Sequence, residues 1–252
     1  MPSPRIRQHV GPLSAPDPAG RSEPSMNALP ASWNIVLAGA WNPAIINPNW
    51  IGKHILKSGG AKYEVLIPVM GDQRVMRFTE EGVQIAVVEN RLQLAPTSLT
   101  PSAMRATEHM ATAILSLLSH TPVSACGINY GWDLPSLPDT VSWLARLDDS
   151  DALTDILTIE ETQVSRTLLG VEILGSPDLN LKFTARADGG FQVDCNYDYS
   201  VESTKDGAAR LSGAFLGLLE HAGKVLDQYG LSFEYPNEEE ENSNDPTAEP
   251  EK

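Results

Sequence analysis

Alternation of apolar and polar residues is clearest late in the chain, where it predicts two β-strands. Every second residue is apolar over 179–187 and again over 191–201. A two-residue period buries one face of a strand and leaves the other toward water. Asp188-Gly189-Gly190 between the two runs is a typical hairpin turn. We therefore expect an antiparallel hairpin, preceded by a third extended segment over 163–174 with a bulge or a close backbone approach at Gly170.

A period of three to four residues occurs twice and predicts two long amphipathic helices. The first helix begins after Thr100, which is a suitable N-cap before Pro101, and its apolar residues recur at helical spacing as far as Leu118. The second helix is expected over 206–229. Gly230 follows it at the position where a glycine commonly ends a helix.

The chain before the first long helix predicts a strand, a short helix and a β-meander. The first strand is expected over 34–41, and Asn47 followed by Pro48 predicts the start of a short helix that ends near Leu56. Alternating residues and turn sequences then predict three extended segments, with one more after the first long helix. These segments cover 63–69, 74–79, 83–94 and 123–132.

Both halves of the chain thus share an antiparallel β-meander followed by a long amphipathic helix. We predict an α+β protein of two similar β-β-β-α halves, built either as two related units or as one continuous sheet backed by two helices. Low apolar content at both ends predicts a disordered N-terminal arm and a disordered acidic tail, and Met26 is an alternative start of translation. The expected divisions are 1–30 (arm), 31–134 (first half), 135–157 (linker), 158–236 (second half) and 237–252 (tail).

The formal net charge of -15 first suggests a basic partner, but much of it lies near the C-terminus. Residues 234–252 contain eight acidic residues and one lysine. The chain has no lysine- or arginine-rich stripe, so we expect no nucleic-acid binding. Its apolar runs are shorter than the roughly 20 residues of a membrane span. The first 30 residues lack the apolar core of a secretory signal. We therefore expect a cytoplasmic protein.

Specific motifs of common enzyme classes are missing from the sequence. It contains no P-loop, no Gly-x-Ser-x-Gly elbow, no His-Glu-x-x-His and no EF-hand loop. Its two cysteines lie far apart, without the local ligand pairs that zinc sites use. We expect neither a metal nor a cofactor and assign no catalytic residue. Enzymatic activity stays open, with a non-catalytic role favoured.

One segment concentrates residues that are typical of binding surfaces. Residues 39–54 hold two tryptophans, two Asn-Pro pairs and a histidine. Tryptophan anchors many protein interfaces, and asparagine in turns offers donors and acceptors. The alternative is that both tryptophans pack into the core. If the segment binds a partner, the expected contacts are Trp41, Asn42, Asn47, Trp50 and His54.

Two functions are compatible with these features. The first is a non-catalytic protein-interaction module, such as an adaptor, an immunity-type inhibitor or a subunit of a larger complex. It would bind another protein or a second copy of itself, for which exposed strand edges are natural sites. The second is a small-ligand-binding protein or enzyme with a pocket between a curved sheet and a helix. That pocket would be lined by Asp194, Asn196, Tyr197 and Asp198.

Overall fold

The computed structural model describes residues 25–56, 65–66, 76–88, 90–142 and 161–238. These residues form a mostly antiparallel sheet with four α-helices, so the α+β prediction is confirmed at that level. The helices are α1 (Pro48–Ile51), α2 (Pro101–Leu117), α3 (Thr204–Leu211) and α4 (Ala214–Asp227). The strands are β1 (Ser25–Ala28), β2 (Asn34–Gly39), β3 (Val65–Leu66), β4 (Met76–Glu80), β5 (Val83–Val88), β6 (Arg91–Pro96), β7 (Val123–Leu134), β8 (Glu161–Leu168), β9 (Asp178–Arg186), β10 (Phe191–Ser200) and β11 (Ser232–Phe233).

All the strands of the described residues belong to one sheet. The main order is β3-β4-β5-β6-β2-β7-β10-β9-β8. Strand β1 pairs with the end of β7 and, in parallel, with β11. The continuous-sheet alternative is therefore the arrangement found. It depends on β7, because this strand pairs with β2 on one side and with β10 on the other.

The helices cover one face of the sheet, and the alternation along β7 shows how the faces differ. Ile128, Tyr130 and Trp132 are buried on the helix side. The Tyr130 hydroxyl donates a hydrogen bond to the Phe215 carbonyl of α4. On the other face Gly131 leaves room for Ser32, whose Cβ would lie 2.6 Å from a Cβ added to this glycine. The core is thus a layer of aliphatic and aromatic side chains between sheet and helices.

Several expected boundaries are confirmed by capping contacts. Thr100 Oγ1 accepts a hydrogen bond from the Ala103 amide at 3.2 Å, and Asn47 Oδ1 accepts one from the Trp50 amide at 3.0 Å. Gly230 has a φ of 68°, as expected for a glycine that ends a helix.

Other boundaries were predicted wrongly. The run over 83–94 is two strands, because Asn90 lies in a tight connection that pairs Val88 with Arg91. The predicted arm was extended as far as residue 30, whereas residues 25–28 form β1 and Met26 is buried. The rest of that arm, most of the linker and the tail from residue 239 lie outside the described residues. None of the helices in the described ranges has the length and apolar character needed to cross a bilayer.

The prediction of one continuous helix over 206–229 is also wrong, because the segment is divided into α3 and α4. Gly213, at the break, has a φ of 72°. The Glu108 carboxylate on α2 accepts hydrogen bonds from the amides of Gly213 at 2.7 Å and Phe215 at 2.9 Å. The first amides of a helix have no acceptor within that helix, so the Glu108 carboxylate supplies one. Its negative charge also complements the positive end of the helix dipole.

We expect Glu108→Ala to destabilise the fold by about 2 kcal/mol, because it leaves two amides at the start of α4 without their charged acceptor. Urea unfolding of the two proteins measures the difference. The matched control is Glu220→Ala, which removes an exposed glutamate further along α4. Equal stability of the two variants would contradict the capping role of Glu108.

Candidate functional site

A row of hydrogen-bonded side chains crosses five strands on the face opposite the helices. Asn196 of β10 donates from Nδ2 to Oδ1 of Asn129 at 2.7 Å, and Asn129 donates in turn to Asn34 at 2.9 Å. On the other side Asn180 donates to Asn196 at 3.1 Å, and Thr167 donates to Asn180 at 2.7 Å. Each pair is directly opposite in the strand register. Asn196 therefore links neighbouring strands.

Asp194, Asn196 and Asp198 of the predicted pocket lining share one face of β10 and form a polar ladder, whose two acidic members differ in their surroundings. Asp194 accepts a hydrogen bond from Gln192 at 3.0 Å and lies opposite Lys182. Asp198 lies directly opposite Asp178. Partial burial, and then the charge of Asp178, raise the pKa of Asp198 above its usual value. Like charges at directly opposed positions destabilise a sheet.

Tyr197 lies on the helix side of β10 and not with the ladder. Its ring is buried, and its hydroxyl is 2.8 Å from Nδ1 of His221 on α4. Burial, and then Lys224, lower the pKa of His221 and favour its neutral form. Because Asp194, Asn196 and Asp198 face the other way, the four residues do not line a common pocket between sheet and helix.

The tryptophan-rich segment is placed partly in the core and partly at the surface. Trp41 is buried and its indole nitrogen donates to the Leu37 carbonyl at 2.7 Å, as the core-packing alternative expected. Asn47 is used in capping α1. Trp50 is half-buried, with its ring 5.3 Å from that of the exposed His54. Asn42 is exposed and accepts a hydrogen bond from the Ala44 amide.

The two cysteines are poorly placed to act as nucleophiles. Cys126 and Cys195 are both buried. Burial raises the pKa of the Cys126 thiol to about 12 and that of the Cys195 thiol still further. A protonated, inaccessible thiol is a poor nucleophile. Within the described ranges, no three His, Cys, Asp or Glu side chains come together where a metal ion could bind.

Exposed apolar side chains are concentrated at one end of the sheet, which we call the apolar end. Six large hydrophobic side chains are exposed among the described residues, and Tyr235, beyond β11, lies at the opposite end. The other five lie where β7 begins and β2, β8 and β10 finish. They are Ile45, Leu117, Leu168, Leu169 and Leu174.

A recess of about 390 Å³ forms the first half of the apolar end. One wall is the loop after β2, with Ala40, Asn42 and Ile45. The other wall is the end of α2 and the loop over 117–122, held beside the first wall by the Ala40 amide, which donates to the Pro122 carbonyl at 3.0 Å. Of the five contacts predicted in the tryptophan-rich segment, Asn42 is the one that lines this recess.

The loop over 169–177 forms the second half of the apolar end. Leu174 and Ser176 adopt positive φ angles of 39° and 56°. Tyr199 donates a hydrogen bond to the Leu174 carbonyl at 2.8 Å, and Arg210 donates to the Gly175 carbonyl at 2.7 Å. Strained backbone of this kind persists where its surroundings impose it, and it is enriched at binding sites. Leu169, 78% exposed, lies at the start of this loop.

Sequence reasoning missed this loop because its apolar residues were assigned to an extended segment over 163–174. Strand β8 in fact ends at Leu168. The adjacent leucines Leu168 and Leu169 were the available signal, since two successive residues of a strand cannot both face the core. The end of β2 and the start of β9 are three strand spacings apart, or roughly 14 Å. One partner surface can therefore contact both halves of the apolar end.

Comparison with known proteins adds no assignment. No protein-family model matches the chain, and no curated protein matches it either.

We expect Asp198→Asn to stabilise the fold by about 0.5 kcal/mol at pH 7, because it removes the repulsion between directly opposed carboxylates. Urea unfolding at several pH values measures the effect. The folded-state pKa of Asp198 is raised, so protonation of this carboxyl at lower pH stabilises the wild type relative to the variant. The stability advantage of Asp198→Asn therefore shrinks as the pH falls. Asp194→Asn, opposite Lys182, is the control and should gain nothing. A stabilising effect that does not depend on pH would contradict this account.

Proposed function

We propose that the chain is a non-catalytic protein-interaction module whose binding surface is the apolar end. The observation that carries the proposal concerns the six large apolar side chains that are exposed in the described part of the chain, of which five cluster at that end. Single exposed hydrophobic residues are normal on protein surfaces, but clustered ones mark interaction sites. The recess offers a pocket for an anchoring side chain, and the strained loop offers a second contact.

The chemistry of the described residues supports a non-catalytic role. Both thiols are buried and protonated. His221 is directed at the Tyr197 hydroxyl and is only partly accessible. In the polar ladder, Asn196 is used in cross-strand hydrogen bonds and Asp194 accepts a hydrogen bond from Gln192.

The finer organisation belongs to the same proposal. We propose two similar meander-and-helix halves that share β7, with the acidic tail and the N-terminal arm as solvated segments. The order β4-β5-β6-α2 in the first half and β8-β9-β10 followed by α3 and α4 in the second supports this division. We further propose that the protein is a cytoplasmic subunit of a larger complex. A non-catalytic module acts through the partners that it binds.

One observation favours the alternative of small-ligand binding. A second recess of about 370 Å³ lies on the open face of β5 and β6 and is lined by the amide side chains of Gln84 and Gln93. Its floor is formed by Ala86 and Ala95. Two amides can orient a neutral polar group, and Pro30, Ala31 and Pro96 add apolar walls of the kind that most ligand sites have. This recess is therefore the second candidate.

Native mass spectrometry of the tagged chain, purified gently from its own host, tests the proposal. We expect a retained polypeptide or a defined oligomer. The double variant Leu117→Ser, Leu169→Ser should lose at least tenfold in the amount retained, because it removes two apolar contacts of about 1.5 kcal/mol each. Tyr235→Ser, at the opposite end, is the matched control and should behave as the wild type.

Two results would contradict the proposal. A complex that survives the double variant unchanged would place the interaction elsewhere. A monomer that carries a small additional mass, retained in both variants, would favour the amide-lined recess over β5 and β6.

A further inference from the structure

Resting on the proposed function, we infer that the segment docking at the apolar end is an apolar stretch of another protein flanked by lysine or arginine. The reasons are the distribution of charge around this end and the uncharged character of the recess itself. Both are visible in the described residues.

Acidic side chains outnumber basic ones around the apolar end. Glu172 in the strained loop and Glu202 after β10 are exposed, with no ion pair in the part of the chain that the structure describes. Asp178 and Asp198 add two carboxylates at facing positions of β9 and β10. Asp206 is paired with Arg210 at 3.0 Å and leaves little charge to offer. The exposed cations around this end include Lys205 at the start of α3 and Arg91 of β6, which lies opposite Ala38 where β2 finishes.

The recess provides a second reason, since its walls contain no acidic residue, lysine or arginine, and His120 is the one histidine that lines it. Residues 40–49 and 117–122 contain no Asp, Glu, Lys or Arg. The last turn of α2 has no basic residue, so the carbonyl groups at its end are not compensated by a cation. The end of a helix carries a partial negative charge that favours a nearby cation or N–H group. The recess therefore suits an apolar side chain whose neighbours carry positive charge.

A second copy of this chain fits the apolar end less well. A two-fold dimer would bring the same surface of both copies together. The acidic residues that border the end would then face their equivalents, and like charges across an interface are unfavourable. A basic segment of a different protein meets the same surface with complementary charge. The partner at the apolar end is therefore a different polypeptide.

Fluorescence anisotropy with two labelled peptides tests this inference on the full chain. The peptides have equal length and the same leucine positions, with lysine at every polar position of one and glutamate at those of the other. We expect the leucine-lysine peptide to bind and the leucine-glutamate peptide to bind at least tenfold more weakly. Glu172→Gln with Glu202→Gln should weaken binding of the first peptide three- to tenfold.

Because the whole chain is acidic, a charge-matched control is needed. Glu220→Gln with Glu234→Gln changes the net charge equally at exposed positions away from the apolar end and should alter binding less than twofold. An equal loss in both double variants would overturn the inference, because net charge alone would then explain the affinity. Failure of the leucine-lysine peptide to bind would also overturn it.

Leu117→Ser with Leu169→Ser separates this inference from the proposed function. If the leucine-glutamate peptide binds as well as the other and this variant abolishes both, the apolar end stands as the surface and the basic partner is wrong. If this variant leaves peptide binding unchanged, the apolar end is not the binding surface. Circular dichroism of each variant verifies that the fold is intact.

Discussion

The pairing of β7 with neighbours on both sides is the constraint on which the rest of the structure depends. Its 12 residues join β2 to β10 and so make one sheet from segments that lie far apart in the sequence. Its inward side chains, among them Tyr130 and Trp132, fill the layer beneath the helices. A slip of one residue would exchange these rings with Asn129 and Gly131 on the open face.

The row of hydrogen-bonded asparagine side chains on the open face, here called the amide row, specifies the same register. Asn129 can accept from Asn196 and donate to Asn34 only when these residues stand directly opposite one another. Apolar packing on one face and hydrogen bonds on the other thus specify the same alignment. The same alignment brings the ends of β2, β8 and β10 together with the start of β7, and the exposed leucines and Ile45 lie at these ends and in the segments beside them. The candidate surface is a consequence of how the strands align.

Local sequence patterns predicted the elements whose cause is local. The alternation over 191–201, the caps Thr100 and Asn47 and the terminating Gly230 each depend on a few neighbouring residues. The break between α3 and α4 could not be predicted in this way, because Glu108 precedes Gly213 by 105 positions. The amide row could not be predicted for the same reason, since Asn129 and Asn34 are 95 positions apart.

The candidate site was predicted only in part, and for a similar reason. The segment over 39–54 contributes Asn42 and Ile45 to the recess, whereas Trp41 is directed into the core by its bond to the Leu37 carbonyl. Which of two tryptophans is buried depends on packing against distant elements, and composition does not reveal it. The loop over 169–177 was hidden because its apolar residues are as typical of a strand as of an exposed binding loop.

Site-specific photo-crosslinking in the native host tests the central claim, that the apolar end is the binding surface, most directly. Leu169→p-benzoylphenylalanine and Ile45→p-benzoylphenylalanine place the reactive group at the two halves of the apolar end, and the same change at Tyr235 is the control. The account predicts the same discrete polypeptide adduct at positions 169 and 45 and none at 235. Adducts that form equally at 235, or at 235 alone, would contradict it.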